Sequence, residues 1–174
     1  KPEFEYSFGY QNWYKSAKHE TLSTRKNVGF FELTPFAKFQ IEGKETYSSL
    51  QYLCANNIKK EPGSITYTQM LNINGGIETD LSVSCMSENI FRVVTGSAVR
   101  EHDKKHILKY LDGNLKFNDI TDDYACFGLF GPKSRALLTD IVGNEFENEI
   151  FPFGKGRLLK INNVDIWFQR LSFV

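Results

Sequence analysis

The sequence predicts an α+β fold in which antiparallel sheets carry helices packed against them. Residues 65–71 and 77–85 alternate between apolar and polar side chains, and the Asn72-Ile73-Asn74-Gly75-Gly76 segment between them is typical of a β-hairpin connection. Residues 46–54 instead place apolar side chains three and four positions apart, as in a helix. Because the chain lacks the long crossovers of a parallel sheet, we expect antiparallel strands with helices interspersed.

Four elements are expected before the hairpin. They are helices at residues 14–24 and 46–54 and short strands at residues 30–33 and 37–41. Pro35 separates the two strands because proline removes a ladder donor. In the second helix, Tyr47, Leu50 and Leu53 share one side, which predicts the face that packs on the sheet.

The middle and end of the chain predict a three-stranded antiparallel meander followed by mixed elements. In order, these are strands at residues 65–71, 77–85 and 90–95, a helix at 97–111, a strand at 115–120, an apolar run at 125–130, a helix at 132–142 and a hairpin turning at Asn162-Asn163. Ile107, Leu108 and Leu111 are expected to face inward from the helix at 97–111. Gly143 is expected to end the later helix.

Composition excludes several functional classes. The 21 basic and 21 acidic side chains cancel, so nothing favours nucleic-acid binding. The hydrophobic fraction of 41% argues against disorder. No apolar stretch approaches the roughly 20 residues that cross a bilayer, so we expect no membrane partner. The scattered Cys54, Cys85 and Cys126 predict neither disulfides nor a zinc ribbon, which favours a reducing compartment such as the cytoplasm or the mitochondrial matrix.

Two motifs resemble catalytic sequences but lack their key residues. His102-Asp103-Lys104-Lys105-His106 spaces two imidazoles as in zinc enzymes, but it lacks the glutamate base and an obvious third ligand. We therefore predict a solvated helix face and no metal site. The GLFGPKS segment at 128–134 has the wrong spacing for a phosphate-binding loop, so a strand leading into a helix is predicted. No cysteine has an evident base nearby that would make it a nucleophile.

Asp80 is the most informative carboxylate, because aspartate is a poor strand former. On pattern alone it belongs to the polar face of an amphipathic strand, where a solvated side chain is the simplest interpretation. Tyr67 lies one hairpin away, so strand pairing could bring a phenol and a carboxylate to one pocket. The alternative for Tyr67 is a core position on the strand face that also carries Ile65 and Leu71.

Residues 67–83 (YTQMLNINGGIETDLSV) resemble the hallmark stretch of the folate-binding aminomethyltransferase family, which includes the T-protein of the glycine cleavage system. Three further segments agree in order, namely LTPFAKF at 33–39, LCAN at 53–56 and FGPKS at 130–134. The opening FGYQNW at 8–13 is similar to the segment that follows the flavin domain in dimethylglycine and sarcosine dehydrogenases. The resemblance therefore implies the fused form of the family, with FAD in a covalently linked flavin domain that precedes this chain.

The same resemblance implies a domain organisation. Residues 1–24 are expected to be a connecting segment and the first helix. Residues 25–174 are expected to be an aminomethyltransferase folate-binding domain, incomplete at its C-terminal end.

The resemblance also implies chemistry and site residues. Tetrahydrofolate would capture the methylene unit left when a small N-methyl amine is oxidised, which prevents its hydrolysis to formaldehyde. Asp80 takes the catalytic position, since a carboxylate near the folate nitrogens can stabilise positive charge and relay protons. The cofactor-binding positions fall on Tyr67, Ser82, Thr95 and Phe173, the last replacing a family tyrosine.

Two alternatives remain open at this point. One is a free aminomethyltransferase of the glycine cleavage system. The other is a non-catalytic folate-binding protein of iron–sulfur assembly or RNA modification. Asp80 favours the transferases, and the Asn12-Trp13 opening favours the fused form.

Overall fold

The computed structural model describes residues 3–58 and 61–171, and the chain divides into two units. The first comprises Lys1–Glu32 and Phe127–Glu147, and the second comprises Leu33–Cys126 and Asn148–Val174. The helices are α1 (Tyr14–Lys26), α2 (Thr46–Leu53), α3 (Arg100–Tyr110) and α4 (Ser134–Val142). The strands are β1 (Gly29–Glu32), β2 (Ala37–Glu42), β3 (Ile65–Leu71), β4 (Ile77–Ser87), β5 (Ile90–Thr95), β6 (Lys116–Asp119), β7 (Phe127–Phe130), β8 (Gly156–Ile161) and β9 (Val164–Gln169). The predicted α+β class, with helices packed on antiparallel sheets, is confirmed.

The second unit is built on a five-stranded antiparallel sheet with the strand order β3-β4-β5-β2-β6. The predicted β3–β4–β5 meander is confirmed, and β2 extends it by pairing with β5. One face of the sheet is buried beneath α2 and α3. The core cluster there includes Phe39, Met70, Val83, Phe91 and Val93 from the strands and Leu50, Leu53 and Ile107 from the helices.

The opposite face of this sheet, called the outer face below, carries the side chains that alternate with the core residues. Because successive strand residues point to opposite sides, the register places Tyr67, Ser82, Val94 and Lys38 in one row across four strands. Asp80 lies directly across from Gln69, two residues along β4 from Ser82. The outer face therefore brings together polar side chains that are distant in the sequence.

The structure corrects the prediction for the helix at residues 97–111. A 3-10 turn occupies Ser97–Val99, and the α-helix begins only at Arg100. Ile107 is fully buried as expected, whereas Leu108 is 45% exposed. Asp103 is fully buried, so the predicted solvated face is wrong at this residue. The reason is that Asp103 finds hydrogen-bond donors on the sheet that its own helix pattern does not reveal.

The first unit pairs β1 with β7 in a two-stranded antiparallel ribbon. The apolar run at residues 125–130 forms β7 over Phe127–Phe130, in which Phe127 is 53% exposed. The backbone N–H of Lys133 donates to the Asn27 carbonyl oxygen at 3.1 Å, and Lys133 Nζ donates to Asn27 Oδ1 at 2.8 Å. These contacts dock the FGPKS segment on the C-terminal end of α1, which agrees with a structural role and not with a phosphate-binding loop.

The β8–β9 hairpin completes the second unit. Its turn residues Asn162 and Asn163 have φ angles of 47° and 68°, as a tight two-residue turn requires, so the predicted turn is confirmed. The backbone N–H of Ile65 donates to the Gly154 carbonyl oxygen at 2.8 Å, and Gln169 Nε2 donates to Ser84 Oγ at 3.1 Å. The hairpin is thus attached at the start of β3 and reaches the outer face of β4. Within residues 3–58 and 61–171, no helix has the length and apolar character needed to cross a membrane.

Gly131→Ala is expected to destabilise the first unit severely. Gly131 has a φ of 111°, and an added Cβ would lie 2.4 Å from the Asn27 carbonyl oxygen and 2.5 Å from that of Thr24. Neither backbone oxygen can move without distorting the end of α1. We expect a loss of more than about 4 kcal/mol in denaturant unfolding followed by circular dichroism.

Gly143→Ala is the matched control, because Gly143 also has a positive φ (92°) but would place its Cβ in open space. The backbone strain alone should cost about 1–3 kcal/mol. Equal losses in the two variants would show that the close approach to α1 has no energetic consequence.

Candidate functional site

A hydrogen bond between Tyr67 and Asp80 is the centre of the candidate site. Tyr67 Oη donates to Asp80 Oδ2 at 2.7 Å across the β3–β4 pair. Tyr67 lies across from Ser82 and Asp80 from Gln69, so the two bonded residues are diagonal neighbours on the outer face. Tyr67 is 46% exposed and Asp80 is exposed, which excludes the core alternative for Tyr67. The pair is therefore accessible to a ligand from solvent.

The hydrogen bond changes the acid–base behaviour of the phenol. Donation to the Asp80 carboxylate is the main cause that raises the pKa of Tyr67 above its ordinary value. The phenol therefore remains a hydrogen-bond donor to well above neutral pH. Because the single O–H of Tyr67 is donated to Asp80, the phenol oxygen and the exposed carboxylate both offer acceptor lone pairs to the N–H groups of a polar heterocycle.

Ser82 joins this pair, because it lies directly across from Tyr67 and two residues from Asp80. Further along the same row lies Lys38, which the residue pattern did not single out although it stands in the LTPFAKF segment. Lys38 is only 5% exposed and donates from Nζ to the carbonyl oxygens of Thr34 at 2.9 Å and Phe36 at 2.8 Å. Burial lowers the pKa of Lys38. Lys38, directly across from Val94 on the neighbouring strand, thus places a buried amino group in the same row of the outer face.

Thr95 lies on the opposite side of the sheet from Tyr67, Asp80 and Ser82. It is almost fully buried, and its Oγ1 donates to Asp103 Oδ2 at 2.6 Å. The structure therefore does not bring Thr95 together with the other predicted site residues, because it is paired with the core-facing Leu81 and Ala37. Phe173 lies outside the described residues.

Behind the site, Asp103 belongs to a buried polar network. Its Oδ2 also accepts a hydrogen bond from Thr79 Oγ1 at 2.9 Å, and its Oδ1 lies 3.0 Å from His102 Nδ1. His102 Nε2 lies 3.1 Å from Glu78 Oε2, so the imidazole bridges two carboxylates. The hydrogen bond to Asp103 is the main cause that raises the pKa of His102. Residue patterns missed this network because its members come from β4, β5 and α3.

The structure also bears on metal and thiol chemistry. In the part of the chain that it describes, no group of histidine, cysteine and acidic side chains is arranged to hold a metal ion. His102 is instead engaged by its two carboxylate partners. Burial raises the pKa of the Cys54 thiol to about 12 and also raises the pKa of the Cys85 thiol. Both thiols therefore stay protonated at neutral pH and are poor nucleophiles.

Comparison with known proteins identifies an aminomethyltransferase-like domain. The profile of the GCVT N-terminal domain matches residues 3–174, and the chain belongs to this family. It is 30% identical over 186 residues to human mitochondrial sarcosine dehydrogenase, covering 98% of this chain and 20% of that protein. It is 34% identical over 169 residues to a probable aminomethyltransferase of Thermococcus kodakarensis, covering 92% of this chain and 42% of that protein.

A solved structure supports the same fold. The glycine cleavage system aminomethyltransferase T from Bartonella henselae superposes with a TM-score of 0.72 at 22% identity, covering 88% of this chain and 43% of that chain. The predicted family resemblance is confirmed by the match to the GCVT N-terminal domain. The chain spans about a fifth of the length of its sarcosine dehydrogenase relative and less than half of its aminomethyltransferase relative.

Asp80→Asn is expected to lower the pKa of Tyr67 toward the ordinary value of 10.0, because the charged acceptor is lost. The measurement is a tyrosinate titration by absorbance, with the Tyr67→Phe variant subtracted to isolate this phenol from the other tyrosines. An unchanged Tyr67 titration in Asp80→Asn would show that the 2.7 Å contact is not maintained in solution.

The bridging of His102 predicts a pH-dependent stability. The pKa of folded-state His102 is raised above the ordinary value of 6.5. Its interactions with the two carboxylates therefore contribute fully to the free energy of unfolding below pH 6.5, and this contribution is lost as the pH rises through the folded-state pKa. The difference in denaturant midpoint between the native protein and His102→Gln should therefore be largest below pH 6.5 and should shrink as the pH is raised above it. His19→Gln, at an exposed position of α1, is the control for replacing a histidine.

Proposed function

We propose that this chain binds tetrahydrofolate on the outer face of its sheet and captures the one-carbon unit released by oxidation of a small N-methyl amine. The observation that carries the proposal is the Tyr67–Asp80 hydrogen bond, which presents a carboxylate and a phenol side by side to solvent. Membership of the GCVT N-terminal domain family and the similarity to sarcosine dehydrogenase support the reaction class.

The chemistry of the outer face fits a reduced pterin. When bound, tetrahydrofolate supplies two nucleophilic nitrogens that accept a methylene unit in place of water. Asp80 would stabilise positive charge that develops on the pterin nitrogens and would accept the proton released as the new C–N bond forms. The Tyr67 phenol would orient the Asp80 carboxylate and offer its ring for contact with the pterin. Ser82, beside both residues, would line the same contact surface.

The proposal includes a flavin-containing partner domain. FAD in a covalently linked oxidase half would remove two electrons from the amine and leave the reactive iminium that the folate intercepts. Holding the two reactants close would limit formaldehyde release. The buried, reduced Cys54 and Cys85 are in keeping with a reducing compartment, the cytoplasm or the mitochondrial matrix.

A free aminomethyltransferase of the glycine cleavage type is the second candidate, favoured by the 34% identity to the Thermococcus protein and by the Bartonella structure. It would share the folate site but would take its methylene unit from an aminomethylated carrier instead of an oxidised amine. Supplying the two kinds of methylene donor to the same protein would separate the two functions.

Tetrahydrofolate binding is the first test. Titration calorimetry should show one tetrahydrofolate site on the chain. Asp80→Asn should raise the dissociation constant by about 10-fold or more, as expected for a lost charged hydrogen bond. Tyr67→Phe should weaken it by about 3- to 10-fold. The control is Asp123→Asn, an exposed aspartate elsewhere in the same unit. Wild-type affinity in Asp80→Asn would refute the role of this carboxylate.

One-carbon capture is the second test, made in the full-length polypeptide with an N-methyl amine and tetrahydrofolate. Asp80→Asn should leave the rate of amine oxidation unchanged but lower the yield of 5,10-methylenetetrahydrofolate by about 10² or more, with formaldehyde rising in proportion. Equal product ratios in the variant and the native enzyme would contradict the proposal.

A further inference from the structure

The β3–β4 pairing contains an extra residue just before Asp80. Met70 lies across from Thr79, but its neighbour Leu71 lies across from Ile77, so one residue on β3 is matched by two on β4. Glu78 is the extra residue, and the irregularity has the register of a β-bulge. A bulge interrupts the alternation of side chains, so it decides which face each following residue occupies.

The Glu78 side chain is held from two directions. Asn72 Nδ2 donates to Glu78 Oε1 at 2.9 Å, while Asn72 Oδ1 accepts hydrogen bonds from the backbone N–H groups of Asn74 and Gly76. On the other side, Glu78 Oε2 lies 3.1 Å from His102 Nε2. The bulge is thus connected both to the hairpin turn and to α3.

The residue after the bulge is anchored to the same helix. Thr79 Oγ1 donates to Asp103 Oδ2, and Asp103 in turn contacts His102 through its other oxygen. In a regular strand Glu78 and Thr79 would point to opposite faces, yet both reach adjacent residues of α3. The bulge makes this double attachment possible, and Asp80, the next residue, is then directed to the outer face.

We infer that Glu78 is a positioning residue whose contacts with Asn72 and His102 hold the β4 bulge and thereby keep Asp80 on the outer face beside Tyr67. A slip by one residue would turn Asp80 toward the core side and Thr79 outward. The consequence for catalysis rests on the proposed function, whereas the consequence for the Tyr67–Asp80 hydrogen bond does not.

The test variants are Glu78→Ala, which removes both contacts, and Glu78→Gln, which keeps an acceptor for Asn72 but loses the charge that pairs with His102. Glu88→Ala is the matched control, because Glu88 is an exposed glutamate in the turn that follows β4. Two readouts are taken on the chain: the pKa of Tyr67 by tyrosinate titration against Tyr67→Phe in each background, and the dissociation constant of tetrahydrofolate.

We expect the pKa of Tyr67 in Glu78→Ala to equal its pKa in Asp80→Asn, and the dissociation constant of tetrahydrofolate to rise by about 10-fold. Glu78→Gln should show intermediate changes in both quantities. Glu88→Ala should change neither. A native Tyr67 titration in folded Glu78→Ala or Glu78→Gln would overturn the inference. If Glu78→Ala does not fold, the pKa of Tyr67 in Glu78→Gln alone tests the inference. If the native chain binds no folate but the Tyr67 titration still responds to Glu78, the proposed function fails and the positioning role stands.

Discussion

The register between β3 and β4 is the constraint on which the candidate site depends. Tyr67 and Asp80 are 13 positions apart in the sequence, and only a hairpin with this pairing makes them diagonal neighbours with a 2.7 Å hydrogen bond. Because the side-chain period of a strand is two, a shift of one residue would separate them completely. The site is therefore a consequence of strand alignment more than of any flexible loop.

The core side of the sheet supports this alignment through a carboxylate that is fully buried. Asp103 accepts hydrogen bonds from Thr79 and Thr95 and contacts His102, which satisfies both of its oxygens. An unpaired buried carboxylate would be costly, so each of these partners also stabilises the fold. The same network ties α3 to β4 and β5 directly behind the outer face. The residues of this network thus contribute both to the stability of the fold and to the alignment of β4. Substitutions in the network will therefore change the free energy of unfolding and the geometry of the site together.

The outer face gives the site its chemical character. Tyr67 and Asp80 are open to solvent, while Lys38 in the same row of the sheet is buried and donates to backbone carbonyl oxygens. A carboxylate in water stabilises a nearby cation only weakly, because the high dielectric screens it. Binding of a flat heterocycle over the pair would exclude water and strengthen that interaction. The bound ligand would thus supply the water-excluded surroundings in which Asp80 stabilises positive charge.

The sequence by itself determined the α+β class, most element positions, the hairpin that carries Tyr67 and Asp80, and the family, because alternation, turn residues and collinear motifs are local properties of the chain. Only the tertiary structure decided that Asp103 is buried, that Thr95 faces the core, and that Glu78 is an extra residue in β4. Each of these depends on which residue of a distant element lies opposite. Local periodicity indicates that a strand has two faces, but the partners packed on each face determine which side chains are brought together.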